Sequence, residues 1–184
     1  MLYKVYKSKV IEDKLDDILG IMDTSKDIHS EFVGGDSTTW TYERYNVFGL
    51  TSPTNVMYDL YCELKDICYE FTEEERLWCQ AWLNYHNVDE VLDWHDHAWP
   101  YHGYISIRPH NTRTVFDNFE IKNEVGNIYI GKGFLRHKVI VDESWDPQLP
   151  RITLGFDLKC GQSGTGYNIR PQPSYNTGLM PFPK

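Results

Sequence analysis

Leu77-Trp78-Cys79-Gln80-Ala81-Trp82-Leu83-Asn84-Tyr85 is the stretch where the hydrophobic period of the chain changes. Before it the apolar residues recur at helical spacing; from Leu77 they follow a period of two and are large, the pattern of a strand. Downstream, the period of two returns in His102–Arg108, Thr112–Ile121, Asn127–Ile130, Arg136–Val141 and Pro150–Leu158. Acidic Asn87–Leu92, Pro109-His110-Asn111, Asn123–Gly126 and Gly131-Lys132-Gly133 separate these runs. Short strands at regular spacing with turn signals between them predict an antiparallel sandwich or barrel.

Upstream of Leu77, Val56, Leu60, Leu64, Ile67, Cys68 and Phe71 form the stripe of one helix, ending near Thr72 to Glu75. Ser52 reads as its N-cap and Pro53 as its first residue. Tyr58 and Tyr61 on it read as core packing. Phe48-Gly49-Leu50-Thr51 reads as a break. Thr38–Tyr42 is β-branched and aromatic, a short strand, and Thr24–Asp36 a polar connection. Ile11, Leu15, Ile18, Leu19 and Met22 mark an earlier helix. Residues 2–10 alternate apolar residues with lysines, as an edge strand does. Helices confined to the first third predict an α+β architecture with the helices outside the β core. Residues 1–160 form a single domain, with helical support over 1–75 and the β core over 76–160. Residues 161–184 change to Gly and Pro, which predicts a surface arm outside the core and a candidate homodimer contact.

The 184 residues are enough for one domain with a core, and 41% hydrophobic content excludes a disordered chain. A formal net charge of −9 argues against nonspecific binding to nucleic acid or anionic membranes. No apolar run has transmembrane length, and Met1–Lys7 lacks the apolar core of a signal peptide. Cys62, Cys68, Cys79 and Cys160 show no paired Cys-x-x-Cys spacing and read as reduced thiols of a cytoplasmic protein.

The chemistry sits in Asp93-Trp94-His95-Asp96-His97, with His137 and Arg151 further on. Histidines two apart on an extended segment point to one side and can chelate one metal, and His137 can close the site from a neighbouring strand. Three ligand sets follow. His95, His97 and His137 form a three-histidine face. Asp93 also shares a side with His95 and can take the place of His97. Asp96 lies on the opposite side and needs a bulge to join. Strand alternation favours the first. In Pro150-Arg151-Ile152-Thr153, a buried arginine with a hydroxyl two residues on can grip a carboxylate through parallel hydrogen bonds. Metal ligands plus a carboxylate anchor point to an oxygenase that uses a 2-oxo acid. His29, His86 and His110 read as ordinary hydrogen-bonded histidines. His102 is close enough in sequence to touch the ligands or the substrate.

Ala81-Trp82-Leu83-Asn84, then His95-Asp96-His97, then Gly103-Tyr104-Ile105-Ser106 resembles a phage-type branch of the 2-oxoglutarate/Fe(II) oxygenases. Gly126 to His137 resembles its Gly-rich turn before the distal histidine, and Arg151-Ile152-Thr153 its carboxylate anchor. The resemblance covers about residues 78–158; His102 stands where the branch has a small residue. It implies a double-stranded β-helix, or jelly roll, over 76–160. It also implies Fe(II) held by His95, His97 and His137, and 2-oxoglutarate held by Arg151 and Thr153. Tyr104 and Asn84 are further candidates for contacts to 2-oxoglutarate. The implied reaction hydroxylates a small-molecule or protein substrate, releasing succinate and CO2, in the host cytoplasm if the chain is phage-encoded. Two rivals remain. A cupin-type metal enzyme shares the jelly roll but commonly has a Glu shortly after the histidine pair, which Ala98–Tyr101 lacks. A non-enzymatic jelly-roll binding module would need neither metal nor anchor.

Overall fold

β3 (Leu77–His86) pairs antiparallel and without a gap with β9 (Arg151–Cys160), from Leu77 opposite Cys160 to His86 opposite Arg151. The computed structural model describes residues 1–33, 39–40, 46–161 and 178–184, with side chains for 1–27, 46–161 and 178–184. In it, β3 and β9 lie within a seven-stranded sheet. The order is β1 (Tyr3–Lys7), β7 (Asn127–Lys132), β4 (Tyr101–Arg108), β9, β3 and β10 (Met180–Phe182), with β2 (Thr39–Trp40) also paired to β3. A second sheet holds β6 (Glu120–Lys122), β5 (Thr112–Phe116) and β8 (His137–Val141). Tyr104, Phe116, Ile121 and Tyr129 pack the two sheets together. The antiparallel sheets form a double-stranded β-helix, the jelly roll expected.

Helices α1 (Lys9–Val33), α2 (Val47–Thr51) and α3 (Asn55–Thr72) cover the outer face of the large sheet. Ile11, Ile18 and Met22 of α1 and Met57, Leu60, Leu64 and Cys68 of α3 are fully buried there. They meet Cys79, Ala81 and Leu83 of β3 and Ile152, Leu154, Phe156 and Leu158 of β9. Ser8 starts α1: its Oγ accepts from Ile11 N at 3.0 Å.

With helices on one side and the small sheet on the other, every residue of β9 is buried. The strand still alternates in chemistry. Ile152, Leu154, Phe156 and Leu158 point to the helices, while Arg151, Thr153, Gly155 and Asp157 fall on the inner face. Polar groups are buried only where something needs them, so the inner face of β9 marks the site.

Several boundaries differ from the sequence reading. Phe48–Thr51 is not a break. Val47 and Phe48 are fully buried, and Asn46 caps the turn by accepting from Phe48 N at 3.0 Å. Ser52 therefore closes α2, its N–H donating to Phe48 O, and α3 starts later, behind Thr54. α1 runs on through Thr24 to Val33, into the expected polar connection. Thr112–Ile121 is two strands, paired as a hairpin and tied by Arg113 to Glu120 at 2.7 Å. β7 continues through Gly131 and Lys132, so the chain breaks only at Gly133. Tyr58 is 54% exposed, not core. Of the expected arm, 162–177 lies outside the described residues, and its end does enter the core. Met180–Phe182 pairs with Cys79–Leu77, and Phe182 is buried against the helices. Of the expected strand Thr38–Tyr42, Thr38, Thr41 and Tyr42 lie outside the described residues.

Candidate metal centre

His137 opens β8, and its N–H and C=O each exchange a 2.9 Å hydrogen bond with the backbone of His95. His97 N donates to Gly133 O at 3.0 Å, and Val139 N to Leu92 O at 3.1 Å. The segment around His95 is thus not the regular strand expected. It is pinned to the start of β8 at a single bridge, which is enough to put His95 and His97 beside His137. Gly133 permits this docking. A Cβ there would sit 1.8 Å from Trp99 O and 3.0 Å from His97 O. Gly133→Ala is expected to push this segment off β8, with strain of about 1–3 kcal/mol, as in an overpacked core. Thermal melting and metal titration check this; an unchanged midpoint with unchanged affinity contradicts it.

One ring nitrogen from each of His95, His97 and His137 lies within 4.8 Å of the others. The hydrogen bonds say which one. His95 Nδ1 is 2.7 Å from Asp93 O, and His137 Nδ1 is 3.0 Å from Leu135 O. A carbonyl only accepts, so each neutral ring carries its proton on Nδ1 and keeps an Nε2 lone pair free. His97 Nδ1 lies 2.7 Å from Asp157 Oδ1, a contact that is not aligned as a hydrogen bond. Burial lowers the pKa of His95 and pushes that of His137 down to about 3, with the neighbouring histidines adding to the effect. Neutral imidazoles with oriented Nε2 atoms are the form that binds a metal. Asp93 and Asp96 are both exposed and stand outside the cluster, Asp93 accepting from Trp94 N at 2.7 Å.

His102 is buried, stacked 4.3 Å from His97 and 4.7 Å from His137 between ring centroids. Its Nε2 lies 3.4 Å from Tyr129 Oη, and burial holds its pKa well below the usual histidine value. His110 sits elsewhere, bonded to Leu149 O and stacked on Trp145. His86 is buried opposite Arg151. The His29 side chain lies outside the described residues.

The three histidines open into a cavity of about 410 Å³, within the range of small-molecule sites. Asn84, Tyr104, Arg151 and Thr153 line it too. Arg151 is 3% exposed, its Nε has no hydrogen-bond partner, and no carboxylate stands at ion-pair distance among the described residues. Burial lowers its pKa to about 10, so it stays charged at neutral pH. Beside it, Asn84 Nδ2 donates to Thr153 Oγ1 at 3.2 Å. Tyr104 Oη donates to Asn123 Oδ1 at 3.1 Å, and burial raises its pKa to about 12, so it remains protonated. Asn123 also accepts from Thr114 and donates to Thr112, locking the small sheet to Tyr104.

Sequence reading missed Asp157, Thr114 and Asn123. Asp157 had a signal: continuing Arg151-x-Thr153 by twos reaches Gly155 and then Asp157. Thr114 and Asn123 had none, because they meet Tyr104 only through the folded register. The four cysteines are free thiols, and no described helix is long and apolar enough to cross a membrane.

No family model and no curated protein matches the chain. Solved structures do. The non-heme alpha-ketoglutarate-dependent carbocyclase SnoK of nogalamycin biosynthesis aligns with a TM-score of 0.61 at 7% identity, over 85% of this chain and 78% of that one. A putative oxygenase from Shewanella oneidensis aligns at 0.55 and 12% identity, over 86% and 81%. The epimerase SnoN, solved with Fe3+, alpha-ketoglutarate and nogalamycin RO, aligns at 0.53 and 8% identity, over 92% and 88%. At such identities the likeness is one of fold: this chain shares the double-stranded β-helix of these proteins.

Proposed function

We propose that this chain is an Fe(II)- and 2-oxoglutarate-dependent dioxygenase that hydroxylates its substrate and releases succinate and CO2. The observation that carries the reading is Arg151. A buried guanidinium with an unpartnered Nε is costly unless an anion completes it, and it lines the same cavity as the three clustered histidines. The residues fit both groups. His95, His97 and His137 would hold the iron, and Arg151 with Thr153 the far carboxylate of the 2-oxo acid. Asn84 positions the Thr153 hydroxyl, and Tyr104, protonated and donating to Asn123, lines the same cavity. When bound, iron and the 2-oxo acid supply the oxidising chemistry. The protein orients the ligands, and Trp82, Leu92 and Val139 give the cavity an apolar wall. Trp82 lies flat over Gly155, where a Cβ would meet its ring at 2.6 Å.

The test is anaerobic titration of Fe(II) and 2-oxoglutarate, followed by admission of air. Stoichiometric binding of both and release of succinate are expected. Imidazole also suits other metals, so metal binding without 2-oxoglutarate would instead support a cupin-type enzyme, and binding of neither a non-enzymatic module. In the same titration, His97→Ala is expected to lose the metal, while Asp93→Ala and Asp96→Ala keep it. The opposite pattern would put a carboxylate in the ligand set.

A further inference from the structure

A ligand set of two histidines and a carboxylate places one negative charge directly on the metal. His95, His97 and His137 place none. Among the described residues, the carboxylate in contact with a ring of this cluster is Asp157, 3% exposed in its side chain, with Oδ1 2.7 Å from His97 Nδ1. We infer that Asp157 supplies, through His97, the negative charge that an all-histidine ligand set lacks, and is thereby a positioning residue that tunes the metal. The inference rests on the metal-site reading above.

Three observations support it. His95 and His137 are oriented by neutral backbone carbonyls, whereas His97 alone is oriented by a carboxylate. A carboxylate on Nδ1 makes the imidazole a stronger electron donor at Nε2. Next, Asp157 Oδ1 is buried and, among the described residues, has no aligned hydrogen-bond donor, although His97 Nδ1 is within contact distance. A metal on Nε2 would strengthen donation from Nδ1 to this carboxylate by drawing electron density from the ring. Finally, the ring is held for this role. It stacks on His102 at 4.3 Å with a 16° interplanar angle, and lies 24° from the plane of Trp82.

The placement follows from one strand. Arg151, Thr153 and Asp157 lie on the same inner face of β9, with Asp157 six residues beyond Arg151, about 20 Å of extended chain. β9 thus carries the co-substrate anchor near one end and the charge behind the metal near the other. Gln80 on β3 and His102 on β4 flank Asp157 in register, which fixes it across three strands.

The experiment compares wild type, Asp157→Asn and Asp157→Ala. Asn keeps an oxygen able to accept from Nδ1 and removes only the charge. The readouts are Co(II) affinity, followed by visible absorbance, and the Fe(III)/Fe(II) reduction potential of the iron-loaded protein. Asp157→Asn is expected to bind Co(II) about 10- to 100-fold more weakly, in line with other outer-shell partners of metal ligands, and to show a more positive potential. Asp157→Ala is expected to lose at least as much affinity; should it fail to fold, the near-isosteric Asn variant carries the test. A purely structural role would lower the melting temperature of Asp157→Asn and leave the potential unmoved. Wild-type affinity and potential in Asp157→Asn overturn the inference while the metal site stands. A wild-type protein that takes up neither Co(II) nor Fe(II) overturns the metal site and the inference with it.

Discussion

Replacing Arg151 by Ala is expected to weaken 2-oxoglutarate binding by about 30- to several-thousand-fold while Fe(II) affinity changes little. Truncating one partner of a buried, hydrogen-bonded charge pair costs about 2–5 kcal/mol, and a carboxylate in this cavity has no second guanidinium to turn to among the lining residues. Lys at this position should rescue only in part, because an ammonium cannot offer the planar two-bond fork. Thr153→Val should cost less, about 0.5–1.5 kcal/mol for one hydroxyl bond and somewhat more because the acceptor is charged. It also leaves Asn84 Nδ2 without its present acceptor. The measurement is anaerobic titration of 2-oxoglutarate into the Fe(II) protein, followed by metal-to-ligand absorbance. Equal affinity in wild type and Arg151→Ala would remove the co-substrate assignment and the main ground for preferring an oxygenase to a cupin-type enzyme.

The same residue shows what the sequence could tell. Arg151-x-Thr153 was legible because a strand alternates, and alternation fixes which side chains share a face whatever the tertiary fold. The β core was legible for the same reason: period and turn residues marked β3, β4, β7, β8 and β9 to within a few residues. What failed was decided by packing. Phe48 and Val47 make a helical turn out of a Gly-containing stretch because both can be buried there. Phe182 returns to the core from a Gly/Pro-rich segment because β3 offers a free edge at Leu77–Cys79 and Tyr61 and Tyr69 offer hydroxyls to the carbonyls of Pro181 and Phe182. At the site, the chain spacing of His95, His97 and His137 left room for Asp93 or Asp96. The tautomers of His95 and His137 come from the carbonyls of Asp93 and Leu135, and His97 is met by the carboxylate of Asp157. Those partners are set by loop geometry and β9 register, which no local pattern encodes.

Replacing His137 by Ala is expected to lower Fe(II) affinity by more than about 100-fold. Structural metal sites gain about 10–16 kcal/mol from roughly four ligands, so one ligand accounts for about 3 kcal/mol or more. Among the described residues nothing nearby can substitute. His102 is closest, 4.7 Å away between ring centroids, but its Nε2 is directed at Tyr129 Oη. The change also has a pH signature in the protein without added metal. Burial holds the His137 pKa at about 3 in the fold, against 6.5 for the free side chain, so the unfolded chain binds the extra proton first. Wild-type stability therefore falls as pH drops below about 6.5 and goes on falling towards 3. The part due to His137 is on the order of 1–2 kcal/mol at pH 5. His137→Ala should lack that part, so its stability should decline less between pH 7 and pH 5 even though lost packing lowers it at both. Denaturant melts at the two pH values, with Fe(II) titration at pH 7, measure both effects. Metal affinity equal to wild type in a folded His137→Ala protein would show that the ion, if one binds, is held elsewhere.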